Sequence, residues 1–241
     1  MEKKLNICPY MIDLTPNIIL SKPQLGENIG SSARAMKNFG IEKLRLIEPR
    51  DGWPNSSAYA ISAGADDVLN KINVFKSLEE ATKDISLLFA TTARKRVIGT
   101  KSLDVFEAID KSFHHVVNGG QVGFLFGPEQ SGLSNDDVVQ ADYTISIPLN
   151  QNFSSLNLSQ AVLLICWEWN KVKMSYFKED NLPIKVNKKL KKSTEISNVG
   201  DREYFYQQLD FLLSKSGFFH SPEMAPVVKL SLIHISEPTR R

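Results

Sequence analysis

The sequence predicts an α/β fold: a parallel sheet with helices on both faces. Short apolar runs with little polar alternation recur through the first two-thirds of the chain, the pattern of strands buried on both sides. Stretches with helical periodicity lie between them, so strands and helices alternate along the chain. The chain has 241 residues, 42% hydrophobic and 23% charged, enough for one domain with a full core plus a modest extension.

In chain order, residues 17–20 form the first predicted strand, and 27–39 a helix that ends at Gly40. Residues 43–47 are a second strand, closed by Pro49, and 56–69 a helix with Asn55 or Ser56 as N-cap. The apolar run 85–90 is a strand, and 103–117 a helix stopped by Asn118-Gly119-Gly120. Residues 122–126 form a buried strand, 135–140 a short helix, and 143–147 a strand ended by Pro148. A long helix runs from Ser155 or Leu156 towards Tyr176. The domain plan is therefore an α/β domain over 1–176 and a polar, Lys-rich linker over 177–200. A short helical extension follows over 201–229. In it, residues 203–215 place Phe205, Leu209, Leu212 and Leu213 on one side, with Gly217 as a cap. Too short to be a domain, it is expected to pack on something else. Residues 230–241 resemble a translated cloning or adaptor sequence and are set aside as a non-native tail.

Charge divides unevenly. Residues 1–170 carry 16 Lys+Arg against 19 Asp+Glu, and residues 171–241 carry 13 against 8. Much of the excess is Lys185, Lys188, Lys189, Lys191 and Lys192, a run that reads either as a polyanion-binding surface or as a solvated linker. Two cysteines, Cys8 and Cys166, make no disulfide framework and suggest a reducing compartment. The longest apolar run, 161–167, is too short to cross a bilayer, and the first residues lack the apolar stretch of a signal peptide. A cytoplasmic protein is expected.

Three segments dense in small and polar residues sit at the ends of predicted strands: 23–40, 126–133 and 147–160. In open α/β sheets, ligands bind outside the carboxyl ends of strands. Glycines there either allow a backbone to approach a ligand closely or serve ordinary turns and packing, and taken alone Gly26 and Gly30 read first as turn and packing residues. The dinucleotide fingerprint and the P-loop are both absent, which disfavours nicotinamide chemistry and nucleotide hydrolysis. His114 and His115 lie late in a helix without Cys or carboxylate partners at ligand spacing. They read as surface or dipole-stabilising residues, and no metal is expected. Trp167 and Trp169 follow an apolar helix and read as core or dimer-interface residues.

Together the segments carry a resemblance. Asn28-x5-Arg34, Gly127-x-Glu129-x-x-Gly132-Leu133 and Ile147-Pro148 leading to Ser155-Leu156-Asn157 occur in the order of the SpoU-type (TrmH-like) RNA ribose 2′-O-methyltransferases. That family belongs to the SPOUT superfamily. The resemblance spans residues 17–169, including Ala63-Gly64-Ala65 and Thr91-Thr92-Ala93-Arg94. The phrase from Ala33 to Gly40, the segment Ala93-Arg94-Lys95-Arg96 and the C-terminal extension are most similar to the TrmJ group, which methylates the ribose of nucleotide 32 in the tRNA anticodon loop. One departure is Gln130, where the family commonly has Arg.

The resemblance implies S-adenosylmethionine as methyl donor, a homodimer, and a trefoil knot near the third segment. It implies a cofactor cradle from Thr91, Thr92, Ala93, Phe126, Gly127, Ile147, Leu149, Ser155 and Leu156. It places Arg34, Asn28, Glu129, Ser155 and Asn157 at the catalytic site. Because a charged guanidinium has no acceptor, Arg34 suits stabilising a developing alkoxide or a neighbouring phosphate better than acting as a base. Asn28 is expected to orient Arg34 or the ribose, and Glu129 to pair with an arginine or fix a loop. Arg34, Arg94, Arg96, Lys188, Lys189, Lys191 and Lys192 are candidate RNA contacts. Ribosomal RNA is the rival substrate to tRNA, and a catalytically silent RNA-binding relative is the rival class. A small-molecule α/β enzyme is disfavoured, since no general-base His or nucleophile is apparent.

Overall fold

A computed structural model describes residues 13–92, 101–150, 152–153, 155–178 and 197–215. Seven strands form one parallel sheet: β1 (Asn17–Ser21), β2 (Leu44–Ile47), β3 (Asn73–Phe75), β4 (Leu87–Thr91), β5 (Ser102–Asp104), β6 (Val122–Phe126) and β7 (Tyr143–Ser146). Their order is β3-β2-β1-β6-β4-β7-β5. The chain first winds outward from β1 to β3, then crosses to β4 and out to β5. It afterwards inserts β6 between β1 and β4, and β7 between β4 and β5. These late insertions bring the carboxyl ends of β4, β6 and β7 side by side.

Among the described residues, eight helices accompany the strands: α1 (Gly26–Asn38), α2 (Ser56–Ser62), α3 (Asp66–Leu69), α4 (Leu78–Thr82), α5 (Val105–Val117), α6 (Asn135–Val139), α7 (Leu158–Lys178) and α8 (Val199–Lys215). Alternate strand residues feed two separate cores, as a sheet covered on both faces requires. Ile18, Leu20, Phe89, Phe124 and Phe126 pack with α1, α2, α3, α5 and α7. Ile19, Leu88, Ala90 and Leu125 pack with α4, α6 and the first residue of α8. Trp169 anchors the larger core: it is fully buried, meets Phe113 and Phe124 edge-on, and donates its indole N–H to Leu14 O at 3.2 Å. Close approach of α1 to α2 depends on Gly30, where a Cβ would collide with the Ala58 carbonyl.

Several expectations need correcting. The single helix predicted over 56–69 is two, because Ala63 turns left-handed (φ +48) and Gly64 follows at φ +89. Asn55 is the N-cap of α2, its Oδ1 accepting from Ala58 N at 3.2 Å. Residues 102–104, whose Leu103 was expected to start a helix, form edge strand β5. Asp104 then caps α5 by accepting from Glu107 N at 2.8 Å. Edge strand β3 and helix α4 fall in a stretch with no predicted element. The long helix starts at Leu158 rather than Ser155 or Leu156 and continues to Lys178, while α8 begins at Val199. Both therefore reach into the segment expected to be linker.

The beginning of helix α8 docks against the amino end of β4. Val199 N donates to Ile85 O at 2.6 Å, and Arg202 donates to Ser86 O and to Asp142 Oδ2, each at 3.1 Å. Beyond that turn Tyr204, Phe205, Phe211 and Leu212 are exposed, so its apolar side chains are only partly covered. Cys8, Lys185 and residues 230–241 lie outside the described residues.

Candidate active site

At the carboxyl end of the sheet lies a cavity of about 350 Å³. Its wall is built from the ends of β4 (Thr91, Thr92), β6 (Phe126 to Leu133), β7 (Ile147, Leu149) and the start of α7 (Ser155, Leu156, Leu158, Ala161). Every predicted cradle residue within the described chain lines it; Ala93 lies outside the described residues. The loop after β6 turns back on itself. Gly132 takes φ +65 and donates its N–H to Pro128 O at 2.8 Å. Gly127 must lack a side chain, since a Cβ there would strike the backbone of Gly132 and Leu133. Thr91 donates its hydroxyl to Leu125 O at 2.9 Å, and Thr92 N bonds Ile145 O at 3.0 Å, which ties the β4 end to both neighbouring strands.

The site carries a polar staple. Helix α1 begins without a capping side chain, because its N-cap is Leu25. The missing acceptor comes from more than 100 residues along the chain. Glu129 accepts from Gln24 N at 2.8 Å, from Leu25 N at 3.2 Å and from Asn28 Nδ2 at 2.7 Å. A carboxylate there also complements the positive end of the helix dipole. Asn28, buried, uses the other end of its amide to accept from Asn157 Nδ2 at 2.9 Å. Asn157 in turn caps α7, its Oδ1 accepting from Ser159 N at 2.9 Å and from Ser159 Oγ at 2.7 Å. Three residues from the three sequence segments thus form one chain of bonds. It fixes the α1 start, the loop after β6 and the α7 start against each other.

The Asn28 amide bonds Glu129 and Asn157, and no hydrogen bond joins it to Arg34 among the described residues. Of the alternatives for Glu129, fixing a loop is the one the geometry realises. Ser155 is at the exposed mouth of the cavity. Arg34 lies on the exposed face of α1, outside the cavity lining, and makes no hydrogen bond or ion pair among the described residues. Arg94, Arg96, Lys188, Lys189, Lys191 and Lys192 fall outside the described residues. Gln130, the departure from the family pattern, also lines the cavity, as do Pro128 and Ser131 of the second segment and Ala161, which lies just beyond the third.

Residues fitting an S-adenosyl group are present. Phe126, Leu133, Ile147, Leu149 and Leu156 give apolar walls for an adenine. The glycine-tight loop exposes backbone groups, and Thr92 and Ser155 add hydroxyls in a cavity of small-molecule size. Among the described residues, no group of three or more His, Cys, Asp or Glu side chains is placed to hold a metal ion, and no helix is long and apolar enough to cross a membrane.

The two histidines differ. His114 is exposed, with Asp110 at 3.8 Å. His115 is half-buried: its Nε2 sits 2.8 Å from Ser86 Oγ, and burial lowers its pKa below the ordinary histidine value. Nearby Lys111 and Arg202 act in the same direction and Asp142 opposes them. Cys166 is buried in the core, which pushes its thiol up to about 12. Trp167 is exposed and meets Phe39 edge-on, unlike core Trp169.

Comparison with known proteins agrees with this geometry. The family model described as the SpoU rRNA methylase family matches residues 15–167. A tRNA (cytidine/uridine-2′-O-)-methyltransferase TrmJ of Yersinia pestis is 36% identical over 203 residues, covering 83% of this chain and 76% of the relative. A tRNA (cytidine/uridine/adenosine-2′-O-)-methyltransferase TrmJ of Pseudomonas aeruginosa is 33% identical, covering 86% and 80%. The crystal structure of TrmJ from Z. mobilis superposes with a TM-score of 0.74 at 39% identity, covering 92% of this chain and 89% of that one. With its cavity at the ends of β4, β6 and β7 and the matching sequence over 15–167, the chain belongs to the SpoU methylase family.

Proposed function

We propose that this chain is an S-adenosylmethionine-dependent ribose 2′-O-methyltransferase acting on tRNA, at nucleotide 32 of the anticodon loop. The observation that carries the reading is the cavity at the ends of β4, β6 and β7, braced by the Glu129–Asn28–Asn157 chain. Relatives named as tRNA 2′-O-methyltransferases, at 33–36% identity over most of the chain, support tRNA as substrate.

When bound, S-adenosylmethionine supplies an electrophilic methyl group on a sulfonium. The protein's task is to hold the ribose 2′-hydroxyl in line and to stabilise its oxygen as the O–CH3 bond would form, the S–CH3 bond break to leave a neutral thioether, and the hydroxyl proton pass to solvent water. Ile147, Leu149 and Leu156 would hold the adenine, and Ser155 at the cavity mouth would offer its hydroxyl to the ribose or its phosphate. The staple is a positioning device that keeps the two ends of the cavity in register. Arg34 supplies positive charge beside the developing alkoxide. Because it stands outside its own cavity, that role requires RNA, or a second copy of the chain, to bring substrate to the exposed face of α1.

A homodimer in the cytoplasm, knotted as in the SPOUT superfamily, completes the proposal. Leu163, Leu164 and Trp167 form an exposed apolar face on α7, next to Phe39, of the kind that association buries. Arg94, Arg96 and the lysines of 185–192 are proposed to contact RNA phosphates.

Incubation with methyl-labelled S-adenosylmethionine and unmodified tRNA, followed by nuclease digestion and mass spectrometry, tests the reading. It predicts a 2′-O-methyl group at nucleotide 32. Transfer to ribosomal RNA alone would change the substrate. Cofactor binding without transfer to either RNA would favour a silent RNA-binding relative.

A further inference from the structure

We infer that the loop between β2 and α2 is a phosphate-binding rim for the RNA strand beside the target ribose, with Arg50 as its anion-binding side chain. The inference rests on the methyltransferase reading above and adds a contact to it.

The loop is braced before any ligand arrives. Lys22 N bonds Ile47 O at 2.8 Å, Glu48 N bonds Phe75 O at 3.1 Å, and Arg50 N bonds Pro23 O at 3.1 Å. Lys22 (φ +48) and Glu48 (φ +42) leave adjacent strands β1 and β2 in the left-handed region. Residues with a Cβ hold that conformation only where their surroundings impose it, and such positions concentrate at functional sites. The two side chains pair across the gap at 3.3 Å.

Arg50 is oriented but not used up. Its Nε and Nη2 donate to the two carboxylate oxygens of Asp51 at 2.9 and 3.1 Å. Its Nη1 has no partner among the described residues, and the side chain is 53% exposed. An exposed pair between sequence neighbours adds little to stability, so the fold does not explain this guanidinium. A planar guanidinium with one edge held and the other open is arranged for two-point contact with a phosphate.

Its position links it to the site. Pro23, which accepts from Arg50 N, directly precedes Gln24, whose N–H is gripped by Glu129 on the cavity wall. Arg50 lies within the field of Glu129: its pKa is raised chiefly by the hydrogen bond to Asp51, with the Glu129 charge adding to it. A ribose entering the cavity carries a phosphate on each side, and this rim lies beside the cavity on the α1 side.

The test compares the wild-type chain with Arg50→Ala and Arg50→Lys, using an unmodified tRNA transcript over a range of KCl concentrations and calorimetric titration of S-adenosylmethionine. Arg50→Ala should raise KM for tRNA about tenfold at low salt and reduce the salt slope of tRNA binding by about one. Its kcat, cofactor affinity and Tm should stay at wild-type values. Arg50→Lys should restore the slope but only part of the KM, because an ammonium offers charge without the fork. Unchanged KM and slope in Arg50→Ala would overturn the inference and leave the methyltransferase reading standing. Loss of cofactor affinity or Tm in Arg50→Ala would also overturn it, by making the side chain structural. A wild-type chain that neither binds cofactor nor methylates RNA would remove both.

Discussion

Replacing Glu129 by Ala tests whether the residue braces the site or takes part in the chemistry. The carboxylate accepts three hydrogen bonds, from Gln24 N, Leu25 N and Asn28 Nδ2. Two of them are half-buried, and the Leu25 bond is at an exposed position where water can replace it. Hydrogen bonds to a charged group contribute about 1.5–3 kcal/mol each, so losing the two protected ones destabilises by about 3–6 kcal/mol. For a domain of this size, that lowers Tm by roughly 6–24 °C. Glu129→Gln should cost less, about 2 kcal/mol. Its single carbonyl replaces one acceptor, but its NH2 faces a donor. Urea unfolding and calorimetric titration of S-adenosylmethionine read the two consequences: lower stability and weaker cofactor binding, since the same bonds hold the cavity wall. A double-mutant cycle with Asn28→Ala should give a coupling of about 1–2 kcal/mol. If Glu129→Ala keeps full stability and cofactor affinity while losing only methyl transfer, Glu129 acts on the reacting atoms and the bracing argument is wrong.

Other expectations follow from the same structure. Gly30→Ala should destabilise by about 1–3 kcal/mol in thermal unfolding, because its methyl group meets the Ala58 carbonyl at the α1–α2 crossing. Gly127→Ala should weaken cofactor binding more than it lowers Tm, as measured by titration and scanning calorimetry, because the loop it distorts lines the cavity. The stability that His115 contributes as a neutral side chain is fully present above pH 6.5 and is lost as pH falls below 6.5 towards its lowered folded value, since the unfolded state then binds more protons. His115→Gln should flatten the dependence of Tm on pH just below 6.5. Cys166 should resist a thiol reagent in the folded protein and react on unfolding, as its burial and raised pKa require.

The central strands were legible because each is a short apolar run buried on both faces: β1, β2, β4, β6 and β7 lie where periodicity places them. The edge strands were not. β3 and β5 are three residues each and mostly exposed, so Ser102 to Asp104 carry no burial pattern to separate them from the helix that follows. Asp104 was a usable signal, since an N-cap acid marks Val105 as the first helical residue. The break at Ala63-Gly64 hid inside an otherwise helical composition, although a glycine at that point is the sort of stop that should have split the helix. For the site, quoted segments led to the cavity because its walls are contiguous stretches at strand ends. The bonds inside it were not readable. Glu129 meets Asn28 across about 100 residues, and no local pattern indicates that a helix beginning at Gly26 borrows its cap from so far away. Arg34 was legible as a motif residue, but its facing is set by how α1 packs on α2 and α7.

Photo-crosslinking of labelled S-adenosylmethionine to the full chain, followed by peptide mapping, tests the central claim most directly. The account predicts label on peptides containing residues 126–133 or 147–158, with loss of crosslinking in Gly127→Ala. Label confined to peptides outside the ends of β4, β6 and β7 would contradict it, even if the chain proved able to methylate RNA.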